Sequence, residues 1–341
     1  MTTTVSIPES TLTKRFSFFS RAREVGILLA LVLVITAATI KNPAFLFSSD
    51  GWRDLLLTPS ILVLVAVGQA IVIITRSVDL SVGSVMGLTA YLTGRLFIDV
   101  PGIPIPLVVI AAVLFGALLG AVNGLLVALA KVPAMVITLG TLYAYRGINV
   151  AWAGSDRVNA SDMPRDFLAL GTAQILTIPV LTIVAALVLA AAAWYMRNTR
   201  GGREYYAIGS DPAAAQLYGL RVTRRVVTAF ILSGALAGLA GVFYAARYGT
   251  VNSQAGSGWE LDAVGAAVIG GVAITGGGGT LFGAAIGAML LMTINRALPI
   301  LGIPDFWQRA VVGLLIIGAI VLDRVLAVRQ KRRLIEARDN S

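Results

Sequence analysis

"LLLTPSILVLVAVGQAIVIIT", Leu55 to Thr75, contains no charged residue and is followed at once by Arg76. About 20 apolar residues wound as a helix cross the hydrocarbon core of a bilayer, so this run has the length of one span. Similar runs recur along the whole chain. Of its 341 residues 57% are hydrophobic and 13% are charged, whereas a soluble domain carries about 25% charged residues. The runs predict about ten transmembrane helices, over 25–42, 55–75, 81–98, 104–130, 133–152, 174–196, 226–248, 259–275, 280–298 and 309–328. The expected fold class is all-α: a polytopic membrane protein with a transmembrane region over 25–328. A tail of 1–24 precedes it and a tail of 329–341 follows it.

The basic residues orient the bundle. With both tails in the cytoplasm and alternating spans, 18 of the 27 Lys and Arg residues fall on the inside, as the positive-inside rule requires. The acidic residues divide almost evenly, so the cations carry the bias. The first run, Val25 to Ile40, has no small-residue cleavage site before Lys41-Asn42-Pro43 and many spans follow it. It reads as a first transmembrane helix rather than a cleaved signal. The chain has no Cys and no His, which removes thiol chemistry and the usual metal and general-base side chains. No catalytic residue, metal ligand or nucleic-acid partner is expected.

The largest inside loop holds "YYAIGSDPAAAQLYGL", Tyr205 to Leu220. Asp211 is an N-cap residue, Pro212 suits the first turn, and Gly219 suits a left-handed stop. Arg197, Arg200 and Arg203 precede this stretch and Arg221, Arg224 and Arg225 follow it. A passive loop bound to anionic lipid headgroups needs no terminated helix. Two turns of helix are marginal alone in water, so a partner's groove is the simplest support.

Polar residues within spans are costly and therefore informative. Asp79, Ser81 and Ser84 stand at the start of the third span. There Asp79 or Ser81 can accept from a free backbone N–H, and they can also line an inner gate. Asn123 lies on the fourth span. Thr138, Thr141, Tyr145 and Asn149 share one face of the fifth, where they serve either a pathway for a sugar or helix–helix hydrogen bonds. Asp162, Arg165, Asp166 and Glu260 are placed at the outer face, where charge pairs set the register of a docking protein. Gly83/Gly87, Gly116/Gly120/Gly124, Gly234/Gly238 and Gly283/Gly287 read as close-packing faces. Gly276-Gly277-Gly278-Gly279-Thr280 reads as a tight turn, because a phosphate loop would need a lysine.

Four stretches together resemble ATP-binding-cassette (ABC) importer permeases of the ribose/monosaccharide type. They are Ile74–Ala90 ("ITRSVDLSVGSVMGLTA"), Lys131–Ile148, Gly201–Val242 and Val268–Leu290. Many members have two glycines before "IDLSVG", whereas this chain has Arg76-Ser77, which resembles the branch for autoinducer-2 or rhamnose-like deoxy sugars. The resemblance implies a dimer of permease chains, identical or sister, in the bacterial inner membrane. It implies a separate ATPase subunit that holds the ATP and Mg, and an extracytoplasmic sugar-binding protein. It further implies that the loop 197–225 presents a coupling helix to the ATPase. The coupling residues would be Arg203, Tyr206, Gly209, Ser210, Asp211, Pro212, Ala213, Ala214, Ala215 and Gly219. The rival reading is an ion-coupled secondary sugar transporter, which usually needs ionisable groups deep in the membrane. Here Asp79, Arg146, Glu260, Asp262 and Arg296 all fall near expected span ends.

Overall fold

The computed structural model describes residues 9–321 apart from 131, 308–309, 312, 315–316 and 319–320, with side chains from Glu24 onward. Residues 1–8, the tail 329–341 and most of the expected tenth span lie outside the described residues, whereas 9–24 of the expected first tail are helical and run on into the helix of the expected first span.

The described chain is all-α apart from a two-stranded ribbon, Gln174–Ile175 with Ile178–Pro179. Its helices are α1 (Glu9–Lys41), α2 (Ala44–Phe47), α3 (Ser49–Ile74), α4 (Val82–Asp99), α5 (Ile105–Ala130), α6 (Ala134–Ala153), α7 (Arg165–Leu170), α8 (Val180–Asn198), α9 (Arg200–Ser210), α10 (Pro212–Leu217), α11 (Val222–Tyr248), α12 (Trp259–Ile269) and α13 (Leu281–Ile300). Among the described residues, six helices are long and apolar enough to span a membrane: α1 from Glu24, α3, α5, α8, α11 and α13. The ten expected runs therefore resolve unevenly. α4 and α6 have the length but not the apolarity. α4 is mostly buried by its neighbours, so its polar groups are kept from lipid. α12 has 11 residues, about 16 Å at 1.5 Å per residue, roughly half the hydrocarbon thickness.

The charge-free run Leu55–Thr75 became the centre of the molecule. In α3, 94% of the spanning window is buried, against 17% in α1 and α8. α3 is enclosed by α8, α11, α12 and α13, so its side chains pack on protein while α1 and α8 turn theirs outward. α5 shows how the helices associate. Leu107, Ile110, Leu114, Leu118 and Leu125 face out, while Gly116, Gly120 and Gly124 lie against α11. A Cβ at Gly116 would collide with Gly234 O, and one at Gly120 with Phe230 O. Lipid gives helices no hydrophobic drive to associate, so close backbone approach supplies the contact. Gly283 and Gly287 of α13 meet Gly270, the C-cap of α12, and Ala266 of α12 in the same way.

The turn joining α12 to α13 is built from the expected glycine run. Gly276, Gly277 and Gly279 have φ of 82°, 70° and 116°, a region that side chains other than glycine rarely adopt.

Candidate functional site

Between α3 and α4 the backbone leaves helical geometry, yet most of this break is buried. A buried irregular segment must find partners for its polar groups. Gln69, fully buried on α3, supplies one pair. With its carboxamide in the orientation that satisfies both atoms, it donates to Asp79 O at 3.1 Å and accepts from Asp79 N at 3.2 Å. Thr138 of α6 donates to Val78 O at 3.0 Å.

The side chains continue as a directed chain of donors. Tyr145 shares its proton between Leu119 O and Asn123 Oδ1, both at 3.1 Å. Asn123 Nδ2 donates to Ser81 Oγ at 2.6 Å, and Ser81 Oγ donates to Asp79 Oδ1 at 2.7 Å. Asp79 Oδ1 also accepts from Ser81 N at 3.0 Å, which is the free amide at the start of α4. All four residues are buried. The network joins α4, α5 and α6 at one level through the α3–α4 break. Asp79 Oδ2 has no hydrogen-bond partner among the described residues.

The polar face of α6 thus meets protein rather than an open channel. Thr141 Oγ1 donates back to Thr138 O, and Ser84 Oγ of α4 donates to Leu142 O. Asn149 Nδ2 donates to Ser253 O at 3.1 Å and Arg146 Nη1 to Ala255 O at 2.7 Å. Those two bonds hold a segment that sinks beside α4. Val158, which pairs with Val251, lies against Gly94, whereas Glu260 lies against Gly83. The two contacts are 11 residues apart on α4, about 16 Å. Glu260 is therefore separated along α4 from the segment that carries Asp162, Arg165 and Asp166. Its Oε1 accepts from Gly258 N at 3.2 Å, and its enclosed Oε2 has no hydrogen-bond partner among the described residues. Residues 252–258 run along α4 past Gly87, so Glu260 sits near the Gly83 end of that helix.

Asp162, Arg165 and Asp166 are exposed on the segment between α6 and α8. Asp162 Oδ2 accepts from Asn159 N at 2.8 Å and closes a 3-10 turn. Beneath it the fully buried Phe167 packs on Phe97 at 4.8 Å between ring centroids.

On the opposite side, α10 forms with the expected signals. Asp211 Oδ1 accepts from Ala213 N and Ala214 N, both at 3.0 Å, with Pro212 in the first turn. Gly219 has φ 78°, and Leu220 N closes the end on Ala215 O at 3.0 Å. Ala215 is buried, whereas Leu217 is 90% and Tyr218 87% exposed. The preceding α9 is fastened to the bundle. Glu204 Oε2 accepts from Arg225 Nε at 2.6 Å, and Tyr205 pairs with the Thr228 hydroxyl at 2.8 Å. Tyr206 donates to Gly279 O at 3.2 Å, and Arg203 reaches back to Asn198 O. The Glu204 carboxyl is held below the usual range by the Arg225 hydrogen bond first and by Arg200 as well, against a desolvation push upward. Gln69, Arg146 and Glu204 were not singled out as site residues. Gln69 carried one signal, as an isolated long polar side chain in the middle of an apolar run.

Apolar helices closed by reciprocal glycines, a buried polar break and a capped loop helix define a multi-pass membrane protein. The chain belongs to the family described as branched-chain amino acid transport system / permease component, whose model matches residues 53–320. Its curated relatives include the autoinducer 2 import system permease protein LsrC of Enterobacter sp. (strain 638). That protein is 37% identical over 302 residues, 88% of this chain and 86% of its own. The protein of the same name from Escherichia coli (strain K12 / DH10B) is 35% identical over 317 residues, 93% of this chain and 91% of its own. A third, from Klebsiella pneumoniae subsp. pneumoniae, is 36% identical over 301 residues. These relatives bear out the resemblance to ABC importer permeases of the monosaccharide type. The family description and the relatives name different cargoes, so the shared property is the permease architecture. No solved structure matches the chain.

Proposed function

We propose that this chain forms the translocation pathway of an ABC importer for autoinducer-2 or a small sugar such as a pentose or rhamnose-like deoxy sugar. It works as one of two permease chains in a bacterial inner membrane, with about ten spans and both termini in the cytoplasm. An extracytoplasmic binding protein delivers the cargo, and a separate ATPase carries the ATP and Mg. The observation that carries this reading is the identity to autoinducer-2 import permeases along 93% of the chain.

Within it, α10 is the coupling helix, and its exposed Leu217 and Tyr218 enter a cleft of the ATPase. A helix of six residues is too short to persist without such support. The Asp79–Ser81–Asn123–Tyr145 network is the inner gate. It is a set of neutral donors ending on one carboxylate that locks α4, α5 and α6 until α10 moves. Asp162, Arg165 and Asp166 meet the binding protein.

The test is reconstitution in liposomes with the ATPase and binding protein from the same genomic neighbourhood. Uptake of autoinducer-2, D-ribose or L-rhamnose should require ATP and both partners. Uptake by this chain alone, driven by an ion gradient, would instead identify a secondary transporter.

A further inference from the structure

We infer that motion of the coupling loop reaches the inner gate through a junction of bare backbone, and that Arg76 is its positioning residue. The inference rests on the reading of α10 as the ATPase contact. Three segments meet at this junction: the end of α3, the end of α9 and the glycine turn before α13. Gly209, two residues before the α10 cap, lies so close to Ile74 O that a Cβ there would collide with it. Gly277 N donates to the same Ile74 O at 3.0 Å. A Cβ on Gly276 would stand 2.9 Å from Gly209 O and 2.6 Å from Arg76 Cγ. Ile74 O, Gly209 and Gly277 N meet backbone to backbone, flanked by Arg76 Cγ and Ser210 Cβ. A long side chain can absorb a displacement by changing rotamer, whereas packed backbone passes it on.

Arg76 closes this junction. Its φ is 67°, a left-handed conformation that costs a non-glycine residue about 1 kcal/mol or more. Glycine would suit that backbone better, so what arginine adds is its side chain. The guanidinium Nε donates to Thr275 O at 2.8 Å and binds the glycine turn to the end of α3. Three residues further on is Asp79, where the buried network ends. Meanwhile α9 is fixed to α11 by Glu204–Arg225 and Tyr205–Thr228. A displacement of α10 therefore acts on α11 through side chains and on the α3–α4 break through backbone.

The test uses the complete reconstituted transporter and reads molecules of autoinducer-2 imported per ATP hydrolysed. Arg76→Gly relieves the backbone and removes only the clasp, so the complex should assemble and hydrolyse ATP within about twofold of the parent. Its transport per ATP should fall about tenfold, the loss expected for one charge-assisted hydrogen bond. Arg76→Gln keeps an N–H donor without the charge and should recover most of the ratio. An unchanged ratio in Arg76→Gly overturns the inference. So does an Arg76→Gln variant as impaired as Arg76→Gly, because that result assigns the effect to charge rather than to the clasp. If the parent complex shows no ATP-driven uptake, the importer reading itself fails, and this control separates the two.

Discussion

The two long connections of this permease solve the same problem in opposite ways. The segment from α6 to α8 and the segment from α8 to α11 each carry short helices that must be held on the end of a bundle. The first is held by apolar plugs. Met163 and Phe167 sink into a cluster with Phe97 and Ala246, and the charged residues above them are exposed. The second is held by directional contacts: an ion pair at 2.6 Å, a hydroxyl pair at 2.8 Å and backbone against backbone at Gly209. Apolar contacts tolerate small slips, whereas hydrogen bonds and glycine contacts fix position. The first arrangement suits a surface that receives a partner, and the second suits a part that must transmit displacement.

Substitutions on each side sharpen this contrast. Phe167→Ala should have the largest effect on stability, about 3 kcal/mol, because it empties a fully buried aromatic site. Thermal unfolding of the full chain in detergent would measure it. Delivery from the binding protein should weaken, while transport per ATP in the remaining cycles stays at the parent value. A reduced ratio would break the distinction between the two connections.

Glu204→Gln should cost about 1 kcal/mol, since the amide keeps one hydrogen bond and loses the charge. Its signature is in pH. Because the Glu204 carboxyl is held below its ordinary value of 4.5, its contribution is present above that value and is lost as pH falls through the lowered one. Unfolding curves of the parent should lose stability across that acid window, and the Gln variant should lose less. Equal pH dependence in both proteins would show that the pair is not a fastening.

Asp162→Ala should have the smallest effect, about 0.5 kcal/mol, from one cap-like bond in an exposed turn. Hydrogen exchange should rise locally at Asn159 and spread no further, with the coupling ratio untouched.

What could be read from sequence follows the range of the forces involved. Asp211, Pro212 and Gly219 act on backbone within four residues of themselves, so the α10 helix was legible in full. The apolar run at Leu55–Thr75 showed a helix but not that it would be the buried pillar, because α1 and α8 have similar composition. The polar residues of α6 were visible at the right spacing, yet their partners Val78, Asn123 and Ser253 come from distant chain. Glu260 follows an aromatic residue and looked like an outer end. Only the tertiary path of 252–258 sets it beside Gly83, away from the segment of Asp162. Gln69 was legible as an oddity and not as a ligand of the break, since Asp79 N and O are backbone groups with no sequence signature.

The capped loop helix as the seat of the ATPase is tested most directly by Asp211→Ala combined with Gly219→Val in the reconstituted transporter. We expect the spans to insert and the ATPase to remain active, while uptake of autoinducer-2 per ATP falls at least about tenfold. A double variant that imports as many molecules per ATP as the parent would contradict the assignment of α10 to coupling.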